Sequence, residues 1–327
     1  MHYKSLLMKL SQIGRKHIWF RKCLLLCSDL YYSSLTHLSD EAFAQRIFSK
    51  YSRKKLDLSN PQTFNEKLWW LKLNYRSQQM PVCSDKYTVR GYVEACGLDE
   101  TLIPLVGVYD TFESLPFNDF REPIFIKCTK GSGGNVIYDP AKEFDYKTQR
   151  MLFNHKLKTD YTRYSREWNY GGTPNRIVCE KVIRTNNGCL PVDYKFMCFG
   201  GEPRLLFFSE NVASSDGQHN VSGSRFVNVY DTYSLELLPI ETSIPSNRRY
   251  ILEKPTNYDA MLVIVRKLAE PFPFCRVDLY NVDGKVYFGE ITFFPSGGND
   301  IIKPEEWSLR MGNWIDISAI KDREYEH

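Results

Sequence analysis

No apolar run in the 327-residue chain approaches the roughly 20 residues that span a bilayer, and Leu24-Leu25-Leu26-Cys27 is too short even for the core of a secretory signal. No Cys-x-x-Cys pair occurs among the nine cysteines. Cys23 and Cys27 stand four apart with no histidine or second cysteine pair close by, which argues against zinc. Cys128, Cys179, Cys198 and Cys275 fall in apolar runs and read as reduced, buried thiols. Internal repeats and low-complexity linkers are missing too, which excludes a solenoid or a tethered array. Net charge is weak: 43 Lys and Arg against 39 Asp and Glu leave +4, too little to imply a nucleic-acid partner. With 43% apolar and 25% charged residues, this is a globular chain with room for two or three lobes. Its expected setting is a reducing cytoplasm.

Acid is absent from the first 28 residues, which hold Lys4, Lys9, Arg15, Lys16, Arg21 and Lys22. Leu6, Leu7, Leu10, Ile13, Ile18, Leu24 and Leu25 recur there at loosely helical spacing. Two readings stay open. One is a basic amphipathic helix touching the cytoplasmic face of an anionic membrane through residues 1–28; the other is a helix packed on the body with a solvated basic face.

What the chain has in excess is aromatic side chains, 14% of residues, suited either to sugar stacking or to a rigid core. Residues 29–80 read as helical. Thr63, followed three residues later by Glu66, predicts a capping box. A further helix is expected over 85–95, ending at Gly97. Strand-like runs then follow at 102–108, 124–128, 177–183, 192–199, 205–209, 276–281 and 286–293, with helices near 148–157 and 258–269. Asn186-Asn187-Gly188, Gly200-Gly201 and Asp283-Gly284 read as hairpin turns, because each offers residues that accept positive φ. Antiparallel hairpins with segregated helices predict an α+β fold.

Three segments carry chemistry. In Lys127-Cys128-Thr129-Lys130-Gly131-Ser132-Gly133-Gly134-Asn135 a buried strand ends in lysine and a glycine-rich turn leads into a second strand, suited to phosphate oxygens or to an ordinary hairpin. In Arg276-Val277-Asp278-Leu279-Tyr280 and Gly289-Glu290-Ile291-Thr292 two strands of one hairpin each present a carboxylate. Such a pair suits Mg²⁺ beside nucleotide phosphates, or is neutralised by Arg276. In Glu180-Lys181-Val182 and Asp193-Tyr194-Lys195 charges interrupt buried strands, so they are paired or face a ligand. The Tyr161–Tyr170 stretch offers aromatic and guanidinium faces for sugar rings, or is an exposed loop.

This order of features, together with the runs Asn60-Pro61-Gln62-Thr63-Phe64-Asn65-Glu66-Lys67-Leu68 and Ser84-Asp85-Lys86-Tyr87-Thr88-Val89-Arg90, resembles the ATP-grasp ligases. It is most similar to the TupA-like, teichuronopeptide-biosynthesis branch found with bacterial surface-polysaccharide functions. The resemblance implies an ATP-grasp fold of two α+β lobes clasping ATP. Residues 1–80 would form a helical N-terminal segment, 81–180 the lobe with the glycine-rich loop, 181–320 the lobe with the metal site, and 321–327 a tail. It implies that Lys86 and Lys127 hold ATP phosphates under a lid of Gly131, Ser132, Gly133, Gly134 and Asn135. Glu180, with the backbone of Lys181 and Val182, would meet adenine, and Asp193 and Lys195 the ribose or phosphates. Asp278, Glu290 and Thr292 would hold Mg²⁺. Many relatives have Glu-x-Asn where this chain reads Glu290-Ile291-Thr292, and Asn299 is the alternative ligand. Arg276 and Arg225 would carry the charge of the acyl phosphate or of the acceptor carboxylate, and Lys195 counts with them as catalytic. The implied activity is an ADP-forming carboxylate–amine ligase acting on a small-molecule or glycan acceptor. A sugar phosphotransferase and a nucleotide-sugar glycosyltransferase are the competing readings.

Overall fold

The computed structural model describes residues 18–210, 216–218, 225–318 and 320. The first part of the basic N-terminal segment (1–17) and the tail (321–327) lie outside the described residues. Helices α1 (Ile18–Ser33), α2 (Asp40–Ser52), α3 (Phe64–Asn74), α4 (Gln79–Ser84) and α5 (Val89–Ala95) come first. Strands β1 (Leu105–Tyr109), β2 (Ile124–Cys128) and β3 (Val136–Tyr138), helices α6 (Tyr146–Leu157) and α7 (Tyr161–Tyr164), and β4 (Ile177–Lys181) follow. Then come β5 (Asp193–Phe199), β6 (Glu202–Glu210), β7 (Phe226–Asp231), α8 (Tyr258–Ala269), β8 (Phe274–Val282), β9 (Lys285–Thr292) and α9 (Glu305–Asn313).

The capping box forms as expected: Thr63 and Glu66 satisfy each other's backbone N–H groups at the start of α3. That helix is the spine of the molecule. Phe64 and Leu68 enter the large core beneath the second sheet, whereas Trp69 enters the small core of α2, so one helix ties two clusters together. By contrast, the helix expected from residue 85 starts only at Val89. The Asp85 carboxylate accepts N–H bonds from Tyr87 and Thr88 at 2.9 and 3.1 Å, making a turn that competes with the helix.

Two antiparallel sheets hold the strands. One has the order β1-β4-β2-β3 and the other β7-β6-β5-β8-β9. Helix α6 sends Phe153 into the core of the first with Phe112, Ile126 and Ile177. Helix α8 covers one face of the second through Tyr258, Met261, Val265 and Leu268. Gly200-Gly201 and Asp283-Gly284 close hairpins with all four residues at positive φ. Asn186-Asn187-Gly188 does not close one. It makes a tight turn, but β4 and β5 on either side belong to different sheets, so the turn lies in the passage between them. Helices α4 and α5, grouped by sequence with the first lobe, send Met80, Cys83, Val89 and Val93 into the core of the five-stranded sheet. Strand β7 was not foreseen. Its central Asn228 breaks an apolar run, yet it is fully buried, and Ser246 and Asn247 of a distant loop satisfy it. Among the described residues no helix is long and apolar enough to cross a membrane.

Because the capping box fixes the entry of the helix that joins two cores, Thr63→Ala should lower unfolding free energy by about 1 kcal/mol. Urea denaturation measures this, and an unchanged midpoint would mean that packing alone sets the helix start.

Candidate active site

In a strand, side chains two apart share a face. On β5, β8 and β9 this puts Asp193, Lys195, Arg276, Asp278, Glu290 and Thr292 on one face of the second sheet. Tyr194, Phe196, Val277 and Ile291 take the other, inside the core. Lys195, Asp278 and Glu290 stand in one row across three adjacent strands. Strict alternation from Phe288, itself in the core, would turn Glu290 inward. A bulge at Gly289 prevents this, since Asp278 pairs with Glu290 but Leu279 already pairs with Phe288. A β-carbon at Gly289 would lie 2.9 Å from the Asp278 carbonyl oxygen, so glycine is what permits the close approach.

The two carboxylates do converge, and Arg276 sits between them. Its Nε donates to Asp278 Oδ1 at 2.6 Å, and its Nη2 donates to Asp278 Oδ2 and Glu290 Oε1, both at 2.8 Å. Lys195 Nζ reaches Asp193 at 3.1 Å and Asp278 at 3.0 Å. Thr292 Oγ1 donates to Glu290 at 3.1 Å, and Lys86 Nζ approaches the other Glu290 oxygen at 3.8 Å. Burial works against charge on Glu290, but Lys86, Arg276 and Lys195 prevail and hold its carboxyl at about 2. Burial likewise opposes charge on Lys195, and Asp193 and Asp278 overcome it and push its pKa up. Arg225 is drawn down by burial, with Asp193 opposing and Arg276 reinforcing, and its Nε is buried without a hydrogen-bond partner. A guanidinium with an unfilled donor beside this cluster suits an anionic group.

The glycine-rich turn joins β2 to β3, as expected, and Gly131, Gly133 and Gly134 adopt φ of +70°, +71° and +70°. Lys86 bridges this turn to the carboxylate hairpin by donating to the Gly131 carbonyl at 2.8 Å. Two lysines that the sequence did not single out for a role hold the same region. Lys156 of α6 donates to Ser132 O at 2.6 Å, and Lys130 donates to the carbonyls of Tyr170, at 2.5 Å, and Thr173. Lys156 comes from a helix whose sequence carries no sign of the turn it meets.

The resemblance puts Lys127 at the ATP phosphates and Glu180 at adenine. Here they face each other across β2 and β4 at 2.5 Å, and Arg90 lies 3.5 Å from the second Glu180 oxygen. Lys181 N–H donates to Pro104 O, and its side chain is exposed beside Glu122. Val182 is therefore the first residue beyond the strand that can offer its backbone to a base. The Tyr161–Tyr170 stretch is neither an open sugar platform nor an exposed loop. Tyr161 packs on Tyr170, Arg76 lies over Trp168, and Arg166 reaches back to Asp40 at 2.9 Å.

Beside this stretch lies a pocket of about 100 Å³ lined by Tyr32, Trp69, Lys72, Tyr164, Ser296 and Gly297. Lys72 is 1% exposed and donates to Gly297 O at 2.6 Å, and its ammonium sits 4.1 Å from the Trp69 ring. Burial, opposed by Glu167, lowers its pKa to about 8. Its signal in the sequence is only a lysine directly after Leu68-Trp69-Trp70-Leu71, which reads simply as helix. Asn299, the alternative metal ligand, accepts the Trp69 indole N–H through its amide oxygen at 3.1 Å.

Among the described residues no three His, Cys, Asp or Glu side chains gather as a ready ligand set. The donor chemistry nonetheless fits Mg²⁺, which usually takes one or two carboxylates and completes its shell with phosphate and water. Asp278 and Glu290 supply two such carboxylates, with their charge now balanced by Arg276, Lys195 and Lys86.

The sequence matches the TupA-like ATP-grasp family over residues 66–316, and the chain belongs to that family and has its α+β ATP-grasp fold. No curated protein matches it. Similar solved structures include an L-amino acid ligase from Bacillus licheniformis, at 14% identity and a TM-score of 0.43, covering 79% of this chain and 56% of that one. This chain therefore spans little more than half the length of that ligase. A D-alanine–D-alanine ligase from Bacillus anthracis gives 15% identity, a TM-score of 0.42 and coverage of 75% and 70%. The corresponding ligase from Helicobacter pylori gives 10%, 0.41, and 79% and 68%.

Glu290 contributes stability that is present above its ordinary value of 4.5 and is lost as pH falls toward about 2. Wild type should therefore lose more stability than Glu290→Gln over that interval when denaturation midpoints are followed against pH. Parallel curves would show that Glu290 titrates as it does in the unfolded chain.

Proposed function

We propose that this TupA-like ATP-grasp protein is an ADP-forming carboxylate–amine ligase of bacterial surface or capsular polysaccharide biosynthesis, working in the cytoplasm on a small-molecule or glycan acceptor. The observation that carries the reading is the Lys195–Asp278–Glu290 row with Arg276 across it, linked by Lys86 to the glycine-rich turn. Phosphoryl transfer depends on positioning and on neutralising charge at the transferred group, and this cluster concentrates both signs on one partly buried face of the sheet.

In this reading Lys86 and the N–H groups of residues 131–135 hold the terminal phosphates. Lys127, steadied by Glu180, lies toward the adenine side with Lys181 and Val182, and Asp193 lies toward the ribose. Asp278 and Glu290, with Thr292 beside them, would hold Mg²⁺, which supplies further positive charge at the phosphates. An acceptor carboxylate oxygen attacks the γ-phosphorus as the bond to the bridging oxygen breaks and ADP leaves. The amine then attacks the acyl carbon, the C–O bond to phosphate breaks, and the amine nitrogen gives up a proton. Arg276, Arg225 and Lys195 offset the negative charge of the acyl phosphate, and the packing of Tyr161 against Tyr170 limits water beside it. The pocket around Lys72 offers a cation and aromatic walls to a carboxylate-bearing end of the acceptor.

Product analysis with Mg²⁺-ATP and a panel of uronic acids, amino acids and UDP-sugars tests this. Acceptor-dependent ADP and phosphate with a mass gain matching an amide are expected. Phosphate found on a sugar would make the protein a phosphotransferase, and UDP release without ATP consumption a glycosyltransferase. Glu290→Gln should lower ATP turnover by about 100-fold or more while leaving the fold intact. A variant with full turnover would remove Glu290 from the metal assignment.

A further inference from the structure

Helix α1 is the one segment of the described residues whose apolar side chains have the wrong exposure for a soluble helix. None of its 16 residues is buried. Trp19, Leu26 and Leu30 are 65%, 61% and 70% exposed, and Cys23 and Cys27 are exposed with them. At about 100° per residue these five side chains fall within a single arc of about 100°. The helix is nevertheless seated by its other side. Asp29 meets His155 of α6 at 2.9 Å, and Tyr32 packs on Tyr164. Beside the exposed stripe runs a groove of about 680 Å³, with Ile18, Phe117 and Tyr146 along it; Lys22 and Lys147 line it, and Arg150 there is paired with Glu113 at 2.5 Å.

We infer that this face of α1 lies on an anionic lipid surface, going beyond the ligase reading to where the enzyme works. Charge selects the occupant. The first 28 residues carry six basic and no acidic side chains, and each basic residue near an anionic bilayer adds attraction that salt weakens. A second copy docking through the same face would bring like-charged basic residues such as Lys22 close to one another. The described part of the helix is not long and apolar enough to cross a bilayer, and in this reading it lies in the interface plane, with Trp19 at headgroup level.

The test is flotation of the full chain with vesicles of phosphatidylcholine alone or with about one third phosphatidylglycerol. Binding to the anionic vesicles is expected, weaker on neutral ones and suppressed by high salt. The triple variant Trp19→Glu, Leu26→Glu, Leu30→Glu should lose about tenfold or more of that binding and keep its melting temperature, because all three side chains are exposed. Lys22→Glu alone should reduce the preference for anionic lipid. Wild-type protein that floats with neither vesicle overturns the inference, as does a folded triple variant that binds like wild type. A wild-type dimer that the triple variant abolishes, seen by light scattering, would assign the face to a second copy instead.

Discussion

Arg276 is clamped between Asp278 and Glu290 on a face of the sheet that water reaches only in part. Two carboxylates opposite each other on neighbouring strands would repel and would pull the hairpin apart, were their charge not met at hydrogen-bond distance. Lys195 completes the neutralisation from β5, and Lys86 completes it from the turn before α5. The consequence is geometric as much as energetic. Each cation comes from a different element, so holding the cluster together also fixes the hairpin, the glycine-rich turn and the start of α5 relative to one another. In the proposed reading a nucleotide would meet charges already in position, which keeps reorganisation small.

A second constraint works from the other side. Helix α3 contributes to two cores, and its Lys72 ties the segment after β9 to the N-terminal helices through Gly297. The segment that follows β9 is therefore tied to α3. The N-terminal helices are thus part of the acceptor wall in the proposed reading, where the sequence led only to a helical N-terminal segment.

Much of the framework was legible in the chain. Thr63 and Glu66 announced α3, Ile124–Cys128 and Tyr258–Ala269 have the bounds expected of them or nearly so, and the two glycine-bearing hairpin turns closed as their chemistry required. That the hairpin presents Asp278 and Glu290 on neighbouring strands was legible, but simple pairing from the turn sets Asp278 opposite Gly289, and the bulge there brings Glu290 opposite it. Strand β7 was hidden by Asn228, whose hydrogen bonds come from a loop some twenty residues away. The aromatic stretch at 161–170 was ambiguous for the same reason: its rings are used against one another and against α3's neighbours, which no local pattern records.

The sequence by itself determined which charges would have to be partnered, since a lysine or carboxylate inside an apolar strand has no other stable option. It also determined the turn between β2 and β3, because glycines are the residues that take the positive φ found at Gly131, Gly133 and Gly134. Only the tertiary structure decided who the partners are. Lys127 is matched with Glu180 across two strands that are 53 residues apart in the chain, and Lys156 reaches the turn from a helix. The bulge at Gly289 likewise turns Glu290 to the site face against simple alternation. Such choices depend on register and on sheet order, and these are fixed by packing over the whole chain, beyond the reach of any short run of residues.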